Sequence, residues 1–282
     1  MLEQLTVVRD GVQIRYACSE LSSEKPALLF VIPFGLKLAL AEPFFDRFKD
    51  SFRVICWEAR LILAPADHLV SQQELTVEHH VADLFAMLDI CGVTRAHMVG
   101  YCSGAGIALA AVNVKPERFG ALVLVSGEYV LLGQTACVTQ FGRDIDSLLP
   151  MASKDRKTAQ FILERMPVQH RLSSERQIPE GINLPFSQVH FLQRYALNYL
   201  SYRSINYQEL ASAVTNRTLL IACQRDLQTN INSTMQIKKL IGNSSIFIEP
   251  EGDHYELLRV ASRVMSIARD FLTGEYEGVP EQ

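Results

Sequence analysis

Long apolar runs are missing from this 282-residue chain. No stretch approaches the roughly 20 residues that a membrane-crossing helix needs, so no span is expected. The opening Met1-Leu2-Glu3-Gln4 has neither the basic start nor the apolar stretch of a secretory signal, and a cytoplasmic protein is expected. Charge of one sign is also scarce. A net charge of −4 gives no reason to expect nucleic acid or an anionic membrane as a partner. The six cysteines, Cys18, Cys56, Cys91, Cys102, Cys137 and Cys223, include no Cys-x-x-Cys pair, and no histidine stands at zinc-finger spacing. No metal site or cofactor is therefore expected. Several cysteines lie inside apolar strand-like runs, as in Arg53-Val54-Ile55-Cys56 and Leu220-Ile221-Ala222-Cys223. Those read as small buried hydrophobes in a reducing compartment. Internal repeats and low-complexity tracts are absent too.

What is present suits a globular enzyme: 48% hydrophobic and 21% charged residues, in a length that fits one α/β domain plus an insertion, or two small domains. Leu5–Val8 and Val12–Tyr16 flank Asp10-Gly11, which predicts a hairpin. Short apolar runs at Ala27–Ile32, Phe52–Cys56, Ala96–Val99, Ala121–Val125, Thr218–Cys223 and Ser245–Ile248 read as strands buried on both faces. Segments of helical period lie between them. One face of Val77–Cys91 carries Val77, Val81, Leu84, Phe85, Leu88 and Cys91, and Leu257 to Leu272 repeats the pattern. Alternating strands and helices predict a mostly parallel sheet with helices on both faces. The alternation fails between about Val130 and Val214. That stretch holds polar helical segments, Pro150, Pro167, Pro179 and Pro185, and an aromatic run from Phe191 through Tyr195, Tyr199 and Tyr202. It reads as an inserted helical cap. Gly274 to Gln282 reads as a frayed tail.

The informative segment runs His97-Met98-Val99-Gly100-Tyr101-Cys102-Ser103-Gly104-Ala105-Gly106. A strand ends near Val99 and a helix of small residues starts past Cys102, so Gly-x-Cys-x-Gly sits in a strand-turn-helix context. That is the nucleophile elbow with Cys in place of Ser. The turn holds its nucleophile in a strained conformation, and side chains at Gly100 or Gly104 would collide with neighbouring backbone. The N–H of Ser103 becomes an oxyanion donor. A helix N-terminus and an imidazole should favour the thiolate and lower its pKa below the free value of about 8.5. Ser103 is the rival nucleophile, but Tyr101 and Ala105 stand where its glycines should be.

An acid and a histidine should follow in that order. Leu219 to Asp226 is an apolar strand ending in an acid, and Ile246 to His254 is a strand, a loop and a histidine opening the last helix. The other histidines read as surface or satisfied ones. His79 and His80 fall on a polar helix face, His97 begins a strand, and His68, His170 and His190 lie in irregular or cap regions. Glu128, which follows the strand after the nucleophile helix, is an alternative acid.

From these residues outward the chain resembles the α/β-hydrolase superfamily. The match covers most of the chain outside the insertion and includes the Pro116-Glu117-Arg118 turn before Leu122–Val125. The resemblance implies an α/β-hydrolase core over 1–129 and 215–282 with a helical cap over 130–214. It further implies Cys102 as nucleophile, His254 as general base and Asp226 as its orienting acid. Two departures stand out. Ile32-Pro33-Phe34-Gly35 replaces the usual His-Gly, so the second oxyanion donor is the N–H of Phe34 or of Gly35. Trp57-Glu58-Ala59-Arg60-Leu61 replaces the usual loop after the fourth strand, which must take another shape.

Cysteine narrows the substrate. A thiolate is more nucleophilic than a neutral hydroxyl and also a better leaving group than an alkoxide, so attack on a plain ester tends to reverse. Attack on a thioester is nearly thermoneutral. The expectation is a thioesterase or acyltransferase of small-molecule biosynthesis, similar to those of polyketide or non-ribosomal peptide assembly. Its acyl group would come from a carrier protein or coenzyme A. The alternatives are an ester or lactone hydrolase with dienelactone-hydrolase-like chemistry, and a catalytically inactive binding protein of the same fold.

Overall fold

The computed structural model describes residues 3–131, 133–165 and 178–276; Pro167, His170 and 277–282 of the tail lie outside them. Its eight strands are β1 (Leu5–Arg9), β2 (Val12–Cys18), β3 (Ala27–Val31), β4 (Arg53–Trp57), β5 (Ala96–Tyr101), β6 (Phe119–Val125), β7 (Thr218–Cys223) and β8 (Ser244–Glu249). They form one sheet in the order β1-β2-β4-β3-β5-β6-β7-β8. The β1–β2 hairpin and the β2–β4 pair are antiparallel, and the other neighbours are parallel. Asp10 and Gly11 both have positive φ, 50° and 75°, as a two-residue turn matched to strand twist requires.

The apolar strand runs are buried on both faces because each face has its own layer. In β3, Leu28 and Phe30 join one cluster while Leu29 and Val31 join the other, the period-two alternation of a pleated strand. Helices α1 (Glu42–Phe48) and α9 (Arg263–Thr273) cover the Phe30 side. Helices α2 (Val77–Ile90), α3 (Ser103–Val114) and α8 (Ile231–Leu240) cover the Leu29 side. Between β6 and β7 lie α4 (Gln140–Ala152), α5 (Arg156–Arg165), α6 (Val189–Arg203) and α7 (Tyr207–Ser212). This is the mixed sheet with helices on both faces that the sequence predicts.

Three local expectations need correction. The C-terminal periodicity from Leu257 is not one helix. Glu256–Leu258 form a single 3-10 turn, and α9 starts at Arg263 because the Ser262 side chain accepts a hydrogen bond from the Met265 N–H. His254 therefore sits in a turn ahead of that segment rather than opening a helix. His80 is not on a polar face either; it is buried and pairs through Nε2 with Asn198 Oδ1 at 2.5 Å, because α6 packs on α2 there.

The loop after β4 owes its unusual course to two charged clusters. Glu58 receives Arg15 Nε at 3.0 Å and the Leu38 N–H at 3.2 Å. Arg60, 2% exposed, clamps Asp83 of α2 with bonds of 2.7 and 2.8 Å, and Arg9 Nη1 joins Asp83 at 2.5 Å. Leu61 then turns the chain with φ 64°.

Candidate active site

The site grows from the end of β5. Cys102 has φ 52° and ψ −122°, a strained conformation for a residue with a side chain. It is tied on both sides: its N–H donates to the Val125 carbonyl at 3.0 Å, and its carbonyl accepts the N–H groups of Ala105 at 3.0 Å and Glu128 at 3.2 Å. The flanking glycines let the backbones close up. A Cβ on Gly100 would come within 2.7 Å of Ala105 Cα, and one on Gly104 would run into the Val31 carbonyl. The sulfur thus stands at the head of α3, next to the Ser103 N–H, which favours its charged form.

His254 and Asp226 arrive from the far side. Asp226 follows β7, and its carboxylate accepts the N–H groups of Gln228 at 2.8 Å and Thr229 at 2.9 Å and the Thr229 hydroxyl at 2.7 Å. His254 Nδ1 meets Asp226 Oδ2 at 2.8 Å, and the ring lies beside the Cys102 thiol, near enough for each to shift the other's pKa. His254 thus lines one cavity with Cys102 while Asp226 holds its ring. Glu128 lies elsewhere: it reaches Cys102 Sγ with Oε2 at 3.9 Å. Of the two acids, Asp226 is the one on His254.

The surroundings set the charges. Burial raises the pKa of Asp226, but the His254 ring and the Thr229 bonds outweigh it and hold the carboxyl below its ordinary range. Burial pushes His254 down, yet the Asp226 carboxylate and Cys102 beside it lift it well above an ordinary imidazole. The thiol departs from expectation. Burial raises the Cys102 pKa by more than His254 and the Ser103 N–H lower it, and the Glu128 carboxylate adds to the rise. Thiol and imidazole thus bear on each other's proton affinity in opposite senses. A helix N-terminus does not overcome desolvation here.

The sequence pattern of the alpha/beta hydrolase fold family matches residues 48–258, which run from the end of α1 to the turn after His254. The chain belongs to the alpha/beta hydrolase fold family. Solved alpha/beta hydrolases superpose on it. A hydrolase from Pseudomonas aeruginosa PA01 does so with TM-score 0.68 at 21% identity, covering 95% of this chain and 98% of that one. The enol-lactonase from Burkholderia xenovorans LB400 gives 0.71 at 16%, covering 95% and 100%. A further relative is L-allo-isoleucyltransferase of Pseudomonas savastanoi pv. glycinea, 26% identical over 180 residues. The match covers 62% of this chain and 62% of the transferase, so the chain spans less than two thirds of that relative.

The turn after β3 lies against the head of α3. The Phe34 N–H donates to Ser103 Oγ at 3.3 Å. Gly35 takes φ 89°, and a Cβ there would meet Pro185 Cγ at 2.6 Å, so glycine is required in that position. A cavity of about 80 Å³ opens over Cys102, lined among others by Phe34, Glu128, Phe141, Tyr195 and His254. A second of about 300 Å³ adjoins it, lined by Glu128, Leu131, Val138, Tyr199 and Arg203 among others, and Glu128, Gly142, Gln228 and Thr229 border both. Tyr195 and Tyr199 of the aromatic run thus face cavities, while Tyr202 is buried and gives its hydroxyl to the Glu128 carbonyl at 2.5 Å.

Two supporting residues escaped the sequence reading. Tyr101 donates its hydroxyl to the His254 carbonyl at 2.7 Å, which fixes the histidine loop against the elbow. Its position inside Gly-x-Cys was visible, and a buried tyrosine needs a partner, but the partner is 153 residues away in sequence. Thr229 lies three residues beyond Asp226 in a turn, a pattern too common to stand out.

Proposed function

We propose that this chain is an acyl-transfer enzyme working through an acyl-cysteine on Cys102, with acyl thioesters as substrates. The observation that carries the reading is a cysteine on a strained elbow that lines one cavity with a histidine, whose Nδ1 is held by Asp226 at 2.8 Å. In the first half-reaction Cys102 sulfur attacks the thioester carbonyl, the carbonyl carbon's bond to the donor sulfur breaks, and the donor thiol leaves with the proton from His254. In the second, a thiol, water, alcohol or amine gives its proton to His254 as it attacks, and Cys102 leaves. The oxyanion donors are the N–H of Ser103 and the N–H of Phe34 or of Gly35, the Phe34 N–H having to leave Ser103 Oγ if it is the one that serves. Asp226 keeps the imidazole oriented and stabilises its cationic form.

The relative named as L-allo-isoleucyltransferase supports transfer over simple hydrolysis. The stretch 130–214, with α4 to α7 among its described residues, acts as the cap that shapes the acyl pocket. The acyl donor is a carrier protein or coenzyme A in the cytoplasm, because both present the acyl group as a thioester. Among the described residues no helix is long and apolar enough to cross a membrane.

The test compares an acyl thioester with the matching oxygen ester. The thioester should have the larger kcat/KM, Cys102→Ala should abolish turnover of both, and Cys102→Ser should lose at least about a hundredfold, since His254 must then deprotonate a hydroxyl. A Cys102→Ser enzyme that stays active and prefers oxygen esters would replace this reading with a general esterase or lactonase.

A further inference from the structure

The acyl-transfer reading leaves Glu128 without a task, yet the fold holds it in place on both sides. Its N–H donates to the Cys102 carbonyl at 3.2 Å and its carbonyl accepts the Tyr202 hydroxyl at 2.5 Å. A Cβ on the preceding Gly127 would run into the Tyr129 ring, so the approach to Glu128 is closely packed. Its side chain is the common wall of the cavity over the nucleophile and the larger cavity beside it.

Among the described residues this carboxylate has no ion pair, and its hydrogen bond is the long one from Cys102 at 3.9 Å. Arg203 lines the same large cavity but is paired with Asp146, which also takes the Tyr199 hydroxyl at 2.5 Å. His254 is matched by Asp226. Burial accordingly pushes Glu128 up to about 7, against the partial pull of His254 and Arg203. A half-buried carboxylate without a paired counter-charge is strained in its charged form, and a bound cation would relieve that cost.

Geometry says where that charge would sit. From standard bond lengths, the α-nitrogen of an acyl group on sulfur lies about 3–4 Å from that sulfur. A carboxylate oxygen 3.9 Å from the same sulfur can then lie within about 2.7–2.9 Å of an α-ammonium, the distance of a charge-assisted hydrogen bond. We infer that Glu128 receives the ammonium group of an α-aminoacyl unit carried on Cys102, so that α-aminoacyl thioesters are the substrate class. This rests on the acyl-transfer reading above. The substrate's side chain would extend past Glu128 into the cavity lined by Leu131, Val138 and Tyr199. Neutralising Glu128 also removes a like charge that opposes the Cys102 thiolate, so the right substrate would help to activate its own nucleophile.

The test uses the N-acetylcysteamine thioesters of L-valine and of 3-methylbutanoate, which differ by one ammonium group. In direct competition the 282-residue protein should acylate with the valyl compound at least about tenfold faster, as expected for a charge-assisted bond. Glu128→Gln should bring that ratio close to one, and Glu128→Asp should restore part of it. Equal use of the two compounds by the wild type, or an unchanged ratio in a folded Glu128→Gln, overturns the inference while leaving acyl transfer intact. Failure of both thioesters to acylate Cys102 would remove the function and the inference together.

Discussion

At the residue scale the proposed chemistry turns on the proton balance between Cys102 and His254. Burial and the Glu128 carboxylate hold the thiol's pKa up while the imidazole holds it down. The signs give an ordered expectation for alkylation by iodoacetamide followed against pH, with Cys102 read by peptide mass. In the free protein its midpoint lies above the ordinary thiol value of about 8.5. His254→Ala removes the lowering partner and moves the midpoint further up. Glu128→Gln removes the like charge and moves it down. A wild-type midpoint well below the ordinary value, insensitive to either change, would contradict this balance. The elbow was legible because it is local: five consecutive residues carry it. The direction of its pKa was not, because that depends on how completely the side chains over it exclude water. Glu128 shows the same limit. In sequence it was one of two possible acids, and only folding places it 3.9 Å from sulfur while giving Asp226 to the imidazole.

At the scale of elements, the elbow depends on α3 lying close against β3. The head of the helix has no room for a methyl group at Gly104, where the Val31 carbonyl stands in the way. Gly104→Ala should therefore cost about 1–3 kcal/mol or more in urea unfolding, since strand or helix must shift. Gly133, whose added Cβ meets nothing within 4 Å, is the control for space, though its φ of 76° carries its own strain. The Arg60–Asp83 pair is the other fixed point, joining the loop after β4 to α2. Arg60→Ala leaves Asp83 buried with Arg9 as its remaining partner and should cost about 3–5 kcal/mol. A loss below about 1 kcal/mol would mean that Arg9 alone suffices. The sequence showed that this loop departs from its relatives but not how, because the partners of Glu58 and Arg60 come from β2 and α2. Strands were easier to read: continuous apolar runs are distinctive when both faces are covered. The start of α9 was misplaced because Leu257 and Leu258 are buried in a 3-10 turn and extend the apparent periodicity.

At the scale of the whole molecule, a sheet of ordinary hydrolase order presents Cys102 after β5, Asp226 after β7 and His254 after β8, all at the carboxyl ends of parallel strands. That is where open α/β sheets place their ligands. The helical stretch between β6 and β7 adds Phe141, Tyr195 and Tyr199 to the cavity walls. Its presence was legible from the failure of strand-helix alternation, whereas the inward or outward direction of each aromatic was not, since helix packing sets it. The account as a whole stands on a covalent acyl-cysteine. Its most direct test is the intact mass of the protein mixed rapidly with an acyl thioester, followed by peptide mapping. The mass should rise by the acyl group on Cys102, with none in Cys102→Ala and a slowed rise in His254→Ala. Acylation of Ser103 instead, or turnover of the thioester with no modified Cys102 at any time, would contradict it.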